Sequence, residues 1–267
     1  MGKVRLDTLL HRRGLYPSRS AASAAVLAGD VRLARHHGGP VKPGTMVADD
    51  VDVETAEPRR FVSRGGTKLA NALDGLGIDV AGRHALDVGA STGGFTDCLL
   101  QRGAVASACV DVAYGELAWS LREDPRVTVL ERLNARTLTP DLLPYAPDLV
   151  VADVSFISLT KLLPALRSVV ADRFDALLMV KPQFEVGRDR VGRGGVVRDP
   201  ALRRDAIRTV AAAARDGGWG VLDAVSSGLP GPKGNRETFL WLGEPDRPGV
   251  VDDPDALALR AEPEPVA

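Results

Sequence analysis

The stretch ALDVGASTGGFTDCLL, residues 85–100, decides the fold. ALDV reads as a buried strand, FTDCLL as the start of a helix, and GASTGG as the turn between them. Gly89, Gly93 and Gly94 let the backbone approach a ligand at the helix N-terminus. The spacing is not GxGxxG, and the GK[ST] ending of a phosphate-binding loop is absent. About 22 residues after Gly89 the apolar run ASACVD ends in Asp111, where a carboxylate can accept both ribose hydroxyls of an adenosine. Loop and acid together point to a nucleoside cofactor.

Outward from this unit, apolar strands alternate with helix-length segments. HALDV, ASACVD, VTVLE, DLVVADV and DALLMV read as strands, with helices near 95–102, 115–123, 158–171 and 201–216. That alternation predicts an α/β, Rossmann-like, mostly parallel sheet with crossover helices. WGVLDAVSSG and ETFLWLG, joined by the turn-rich LPGPKGNR, predict a closing β pair whose last strand is antiparallel. Upstream, KVRLDTLLHRRG and SRSAASAAVLAGD read as two short helices, the second capped by Ser18 or Ser20 and ended by Gly29. Short strands follow up to Glu57, then a linker, which makes the head a small α+β module. SRGGTKLANALDGLG opens the larger domain as a helix. No internal repeat is visible.

Of 267 residues, 45% are hydrophobic, enough for a substantial core. The longest apolar runs, ALLMV and LVVA, fall far short of the roughly 18 residues of a membrane span. The charged start lacks the form of a signal peptide, so a cytoplasmic protein is expected. Cys98 and Cys109 have no metal-site spacing and read as small reduced hydrophobes; no metal is expected. The net charge of −1 hides a head with +6 over residues 1–48 and a tail with −5 over residues 244–267. A clustered basic face suits a polyanion. The tail, with five prolines, predicts disorder. His36 and His37 read as exposed turn residues.

Ligands of such sheets bind outside the carboxyl ends of the parallel strands. Asp153 sits near the end of DLVVADV and Lys181 just past the end of DALLMV. An antiparallel last strand would bring in Glu237 at that rim, and Lys68 can cover it from the preceding helix. A lysine in this setting can lose its proton and act as base, or stay charged and stabilise an alkoxide; the sequence leaves both open. The loop EVGRDRVGRGGVVRDP carries Arg188, Arg190, Arg193 and Arg198 and suits RNA phosphates or solvent equally.

Five stretches in order, SRGGTKL, DVGASTGGFTD, ADVSFISL, VKPQFE and NRETFL, resemble the TlyA-type, FtsJ-related RNA ribose methyltransferases, over roughly residues 3–243. The resemblance implies a class I methyltransferase fold, with an RNA-binding domain of the S-four type at 1–58, a linker at 59–64, the FtsJ-like domain at 65–243 and the tail at 244–267. It implies S-adenosylmethionine (AdoMet) as cofactor, held by Gly89, Ser91, Gly93, Gly94, Phe95, Asp111, Asn134 and Asp153. It implies a catalytic tetrad of Lys68, Asp153, Lys181 and Glu237. RNA contacts would come from Arg5, Arg12, Arg13, Arg19, Arg32 and Lys42, and the substrate would be cytidine in ribosomal RNA or ribosomal subunits. Phe156 of DVSF is a candidate base-stacking residue, although the Pro-Pro of base methyltransferases is absent. Thr67 stands where the family commonly has an aromatic, and the hairpin RLARHHGGPVKPG is longer than usual. Two rival readings, a haemolytic membrane-active protein and a non-enzymatic ribosome-assembly factor, follow from the family's other name and from the basic head.

Overall fold

A computed structural model describes residues 2–27, 29–34, 41–55 and 60–262. The chain divides into two compact units, Met1–Arg59 and Arg60–Ala267.

In the first unit, β1 (Lys3–Arg5), α1 (Leu6–Arg12), α2 (Arg19–Leu27), β2 (Val31–Leu33), β3 (Met46–Ala48) and β4 (Val53–Thr55) follow in order. The first helix starts later than its apolar pattern suggests because Lys3–Arg5 pair antiparallel with Met46–Ala48. Ser18, rather than Ser20, caps α2, accepting the Ala21 N–H at 3.1 Å. Leu6, Leu9, Leu10, Ala22, Val26, Val31 and Val47 form the core. His36 and His37 lie outside the described residues.

The second unit contains α3 (Arg64–Leu76), β5 (His84–Val88), α4 (Gly94–Gln101), β6 (Ala106–Asp111), α5 (Trp119–Arg122), β7 (Val127–Glu131), β8 (Leu149–Ala152), α6 (Leu163–Val169), β9 (Asp175–Val180), α7 (Pro182–Glu185), α8 (Pro200–Asp216), β10 (Gly220–Ser226), β11 (Thr238–Gly243) and α9 (Pro254–Ala261). The sheet order is β10-β11-β9-β8-β5-β6-β7, and β11 is antiparallel to both neighbours. Strand order reverses at β5, which pairs with β6 on one side and β8 on the other. That reversal is where such sheets open a ligand crevice.

Alternate strand residues face two cores. Leu86, Val88, Val150, Leu178 and Val180 pack with α6, α8 and α9, while Ala85, Val151, Leu177, Met179 and Phe239 pack with α3 and α4. Two expected helices are shorter: 115–123 contracts to Trp119–Arg122, and 158–171 becomes a 3₁₀ turn followed by Leu163–Val169. Pro164 fits there because the first helical turn has no need of its N–H.

The acidic tail is folded through Glu262, against expectation. Asp253 accepts the N–H groups of Asp255 and Ala256 at 2.8 and 3.2 Å, Pro254 opens α9, and Leu257 and Ala258 are fully buried in the main core. Two of its carboxylates meet arginines: Asp255 meets Arg208, and Glu262 meets Arg203 and Arg236. Composition suggested disorder, but a capped helix with one apolar face and matched arginines supplies the burial that disorder lacks.

Candidate active site

The ends of β5, β8 and β9 are held in register, with Val88 opposite Ala152 and Ala152 opposite Leu178. Asp153 leaves β8 with its N–H donating to Val88 O at 3.0 Å. Lys181 leaves β9, which Pro182 ends by starting α7. The Lys181 Nζ stands 2.6 Å from Asp153 Oδ1 and donates to Ser155 Oγ at 2.9 Å. The Asp153 oxygen it approaches is buried and takes part in this ion pair.

Thr238 sits opposite Val180 in the antiparallel β9–β11 pairing, so Glu237, one residue earlier, enters beside Lys181. The Glu237 carboxylate forms an ion pair with Lys68 of α3, and the two side chains are 2% and 7% exposed. Helix α3 reaches this position because glycines line its contact with α4. A Cβ on Gly94 would stand 2.9 Å from Gly66 N, and one on Gly66 would stand 2.7 Å from Gly94 O. Gly94, expected from the sequence to line the cofactor loop, thus also seats the helix that carries Lys68. Gly231 approaches the same carboxylate: a Cβ there would meet Glu237 Oε1 at 2.5 Å.

The glycine loop crosses the neighbouring edge of this rim. Gly89 is left-handed (φ 80), and a Cβ on it would meet Asp153 O at 2.6 Å. Gly93 is also left-handed (φ 91) and lies against Leu117 and Leu121. Asp111 accepts the Ser91 N–H and the Ala113 N–H, each at 2.8 Å. Ser91 Oγ donates to Glu116 at 3.0 Å. Ser91, Asp111, Glu116, Leu117 and Glu131 line a shallow, open hollow. Its acidic and amide groups beside apolar Leu117 and Val129 suit a nucleoside.

Two of the cofactor residues expected from sequence have side chains engaged within the fold. The Phe95 ring is buried, packed on Phe239 at 5.7 Å between centroids, and only its main chain belongs to the loop. The Asn134 carboxamide accepts the Arg136 N–H at 3.1 Å and caps a 3₁₀ turn after β7.

Asp87 opens the DVGASTGGFTD stretch, but the sequence reading gave it no role. This carboxylate in the middle of the glycine-loop strand accepts the Thr96 N–H at 3.0 Å and the Thr96 hydroxyl at 2.8 Å, while its other oxygen is buried without a partner. Burial pushes its pKa up to about 7; the Thr96 bonds oppose this, and the charges of Asp153 and Asp111 add to it. An acid inside an otherwise apolar strand was the available signal.

Among the described residues, Ser91 (φ 45), Arg132 (φ 57) and Phe156 (φ 67) are the non-glycine residues with left-handed backbones. They follow β5, β7 and β8, so the strain gathers on the rim that carries the ion pairs. Phe156 is 92% exposed, with its ring 5.4 Å from that of Phe184. Glu185 secures its loop by accepting Ser158 Oγ at 2.6 Å and the Leu159 N–H at 2.9 Å; burial raises its pKa.

In the head, Arg5 donates to Asp7 at 2.6 Å, Arg19 lies 3.7 Å from Asp7, and Arg12 lies 3.6 Å from Asp49. Arg13 donates to the carbonyls of Asp49 and Val51 at 2.6 and 2.8 Å. These four arginines brace the unit as well as facing solvent. Arg32 and Lys42 belong to β2 and to the segment before β3; Arg32 is exposed and Lys42 is exposed as well.

Residues 61–244 match the FtsJ-like methyltransferase family. The chain is 53% identical, over 90% of both chains, to the Mycobacterium tuberculosis protein named 16S/23S rRNA (cytidine-2'-O)-methyltransferase TlyA. It is 37% identical to Hemolysin A of Brachyspira hyodysenteriae, over 88% of this chain and 97% of that one. A solved Streptococcus thermophilus structure, described as a candidate hemolysin, aligns with a TM-score of 0.73 and 37% identity, over 98% of this chain and 96% of that one. A glycine loop at the strand-order reversal, two Lys–carboxylate pairs on the adjoining strand ends and these relatives agree: the chain belongs to the FtsJ-like methyltransferase family, in its TlyA branch.

Proposed function

We propose that this protein methylates the ribose 2′-hydroxyl of cytidine in ribosomal RNA, on the 16S and 23S species named for its mycobacterial relative, with AdoMet as methyl donor and in the cytoplasm. One observation carries the reading: Lys181 stands on the rim beside the glycine loop, ion-paired with Asp153 and adjacent in register to the Lys68–Glu237 pair.

When bound, AdoMet supplies an electrophilic methyl group. Asp111 and Ser91 would hold its nucleoside, and the Gly89 turn would let it approach Asp153. The chain's own work lies at the other reactant. A ribose hydroxyl is a weak acid, and its oxygen gains nucleophilicity as its O–H bond breaks. The Lys181 ammonium, oriented by Asp153 and Ser155, supplies fixed positive charge where that oxygen becomes negative. In the alternative role, a neutral Lys181 amine would itself accept the hydroxyl proton as the oxygen–methyl bond forms and the sulfur–methyl bond breaks. Lys68, neutralised by Glu237, contributes rigidity and limits the net positive charge around Lys181. Phe156 offers an exposed face for the target base, and stacking of this kind is worth about 1–3 kcal/mol per base. The arginines of the head would dock structured rRNA.

The test maps 2′-O-methyl marks on deproteinised rRNA and on separated subunits incubated with the protein and AdoMet. A cytidine mark made by wild type and absent with Lys181→Ala supports the reading; failure to bind AdoMet by calorimetry sinks it. Among the described residues no helix is long and apolar enough to cross a membrane. Lysis of defined liposomes, unaffected by Lys181→Ala, would favour the membrane-active alternative.

A further inference from the structure

Many arginines of the second unit face carboxylates, as Arg102 faces Asp74 and Arg208 faces Asp205 and Asp255. Arg198 and Lys233 have no carboxylate partner among the described residues. Both converge on one glycine turn. Lys233 Nζ lies 3.9 Å from the point where a Cβ on Gly195 would stand, and Arg198 Nη1 lies 3.8 Å from the corresponding point on Gly192. Gly194 and Gly195 are both left-handed (φ 79), and a Cβ on Gly194 would meet nothing within 4 Å. The turn is therefore open to solvent, with no side chain of its own over Gly194 and two unneutralised cations beside it.

This turn is anchored to the rim. Asn235 is 3% exposed; its carboxamide accepts the Val197 N–H at 2.9 Å and donates to Gly195 O at 2.8 Å. The Val197 and Arg198 carbonyls accept from Arg203 at 3.3 and 2.6 Å, and Arg203 is ion-paired with Glu262 of the tail. The segment from Pro230 to Glu237 carries Lys233 at its bend. Gly231 N–H donates to Asn235 O at 2.8 Å, and Arg64 of α3 donates to Pro230 O at 2.6 Å. One short segment therefore holds the unpaired lysine, the amide that fixes the glycine turn and the Glu237 carboxylate.

We propose that the Gly192–Gly195 turn, Lys233 and Arg198 form a subsite for one backbone phosphate of the RNA substrate, with Asn235 fixing its position relative to Glu237. The inference rests on the rRNA-methylation reading. Phosphate suits the site because its oxygens can meet two cations and an exposed backbone turn together. Such contacts set the register of the substrate rather than its sequence. Asn235 acts here as a positioning residue: it touches no substrate but keeps the phosphate anchor and the reacting ribose at a constant separation, on which alignment depends.

The test measures binding of an rRNA fragment by the full chain across a KCl series, together with steady-state methylation. Lys233→Ala/Arg198→Ala should raise KM for RNA about tenfold and flatten the slope of log K against log[KCl] by about one, with AdoMet affinity unchanged. Asn235→Ala should lower kcat about tenfold and leave that slope in place, at a temperature where the variant remains folded. If Asn235→Ala does not fold, Asn235→Asp, which keeps the acceptor for Val197 and loses the donor to Gly195, takes its place with the same expectation. An unchanged KM and slope in the double cation variant overturn the subsite. A position-235 variant with normal kcat, or with a kcat loss explained by its unfolded fraction, overturns the positioning role. Wild type that shows the salt slope but leaves no methyl mark sinks the methylation reading and leaves the subsite standing.

Discussion

The two lysine–carboxylate pairs on the rim have the same chemistry and different settings. Lys68 and Glu237 are 7% and 2% exposed, with Gly231 packed against the carboxylate. Lys181 and Asp153 are 11% and 25% exposed, and the loop that begins at Asp153 also carries the solvent-facing Phe156. A sealed pair cannot meet a substrate, while a half-open pair keeps an approach. On the proposed reading, the sealed pair ties α3 to the start of β11 and steadies the rim, and the open pair is the one a substrate can reach. Burial alone distinguishes the two pairs, and the proposed division of labour rests on it.

The sharpest challenge to this contrast is Lys181→Ala. Loss of a positioned base or charge costs about 10²–10⁴ in rate, so methylation should fall by that factor while AdoMet affinity and the urea midpoint stay near wild type. A large fall in midpoint would erase the distinction. Lys68→Met strands a buried carboxylate and should cost about 3–5 kcal/mol of stability, read as a lowered urea midpoint. Lys68→Met/Glu237→Leu should recover much of that loss, whereas Asp153→Asn should cost far less than Lys68→Met. Equal losses at Asp153 and Lys68 would break the comparison.

Asp87 lies beneath the open pair and makes stability depend on pH. Its ordinary value is 3.8 and its folded value about 7, so between those values the folded chain keeps a proton that the unfolded chain has lost. Stability of the second unit should fall as pH rises from about 4 to about 7, by up to about 1.4 kcal/mol per pH unit. Asp87→Asn should flatten that profile. Trp119, Trp219 and Trp241 all lie in this unit, so tryptophan fluorescence in urea reports it separately. Asp7 in the head works in the opposite sense: the Arg5 bond holds it down to about 2, so its contribution is present above about 4 and lost as pH falls toward 2. The smallest effect belongs to Phe156→Ala, which should leave stability near wild type and raise KM for RNA about tenfold.

The sheet and the open pair were legible because strand ends can be read from apolar runs: ALLMV stops at Lys181, and LVVA stops just before Asp153. Glu237 followed from one antiparallel strand. Close approaches were not legible. Nothing local marks Gly94 as a helix seat, Gly231 as a wall against Glu237 or Asn235 as a clasp on Gly195, because what each one meets is set by the fold rather than by its neighbours in the chain. The tail misled through composition, although Asp253-Pro254 with Leu257 following is a readable helix start. Phe95 and Asn134 were assigned by motif position, and a motif fixes main-chain placement better than side-chain direction.

Phe156 carries a lesson for protein engineering. A left-handed backbone costs a non-glycine residue about 1–2 kcal/mol, and an almost wholly exposed ring returns little of it through burial. A stability screen would therefore favour Phe156→Gly, together with glycine at Ser91 and Arg132. Each gain would relax the rim where substrate is to be held. Thermostabilising this enzyme by removing backbone strain would select against turnover first at the three positions where strain is concentrated.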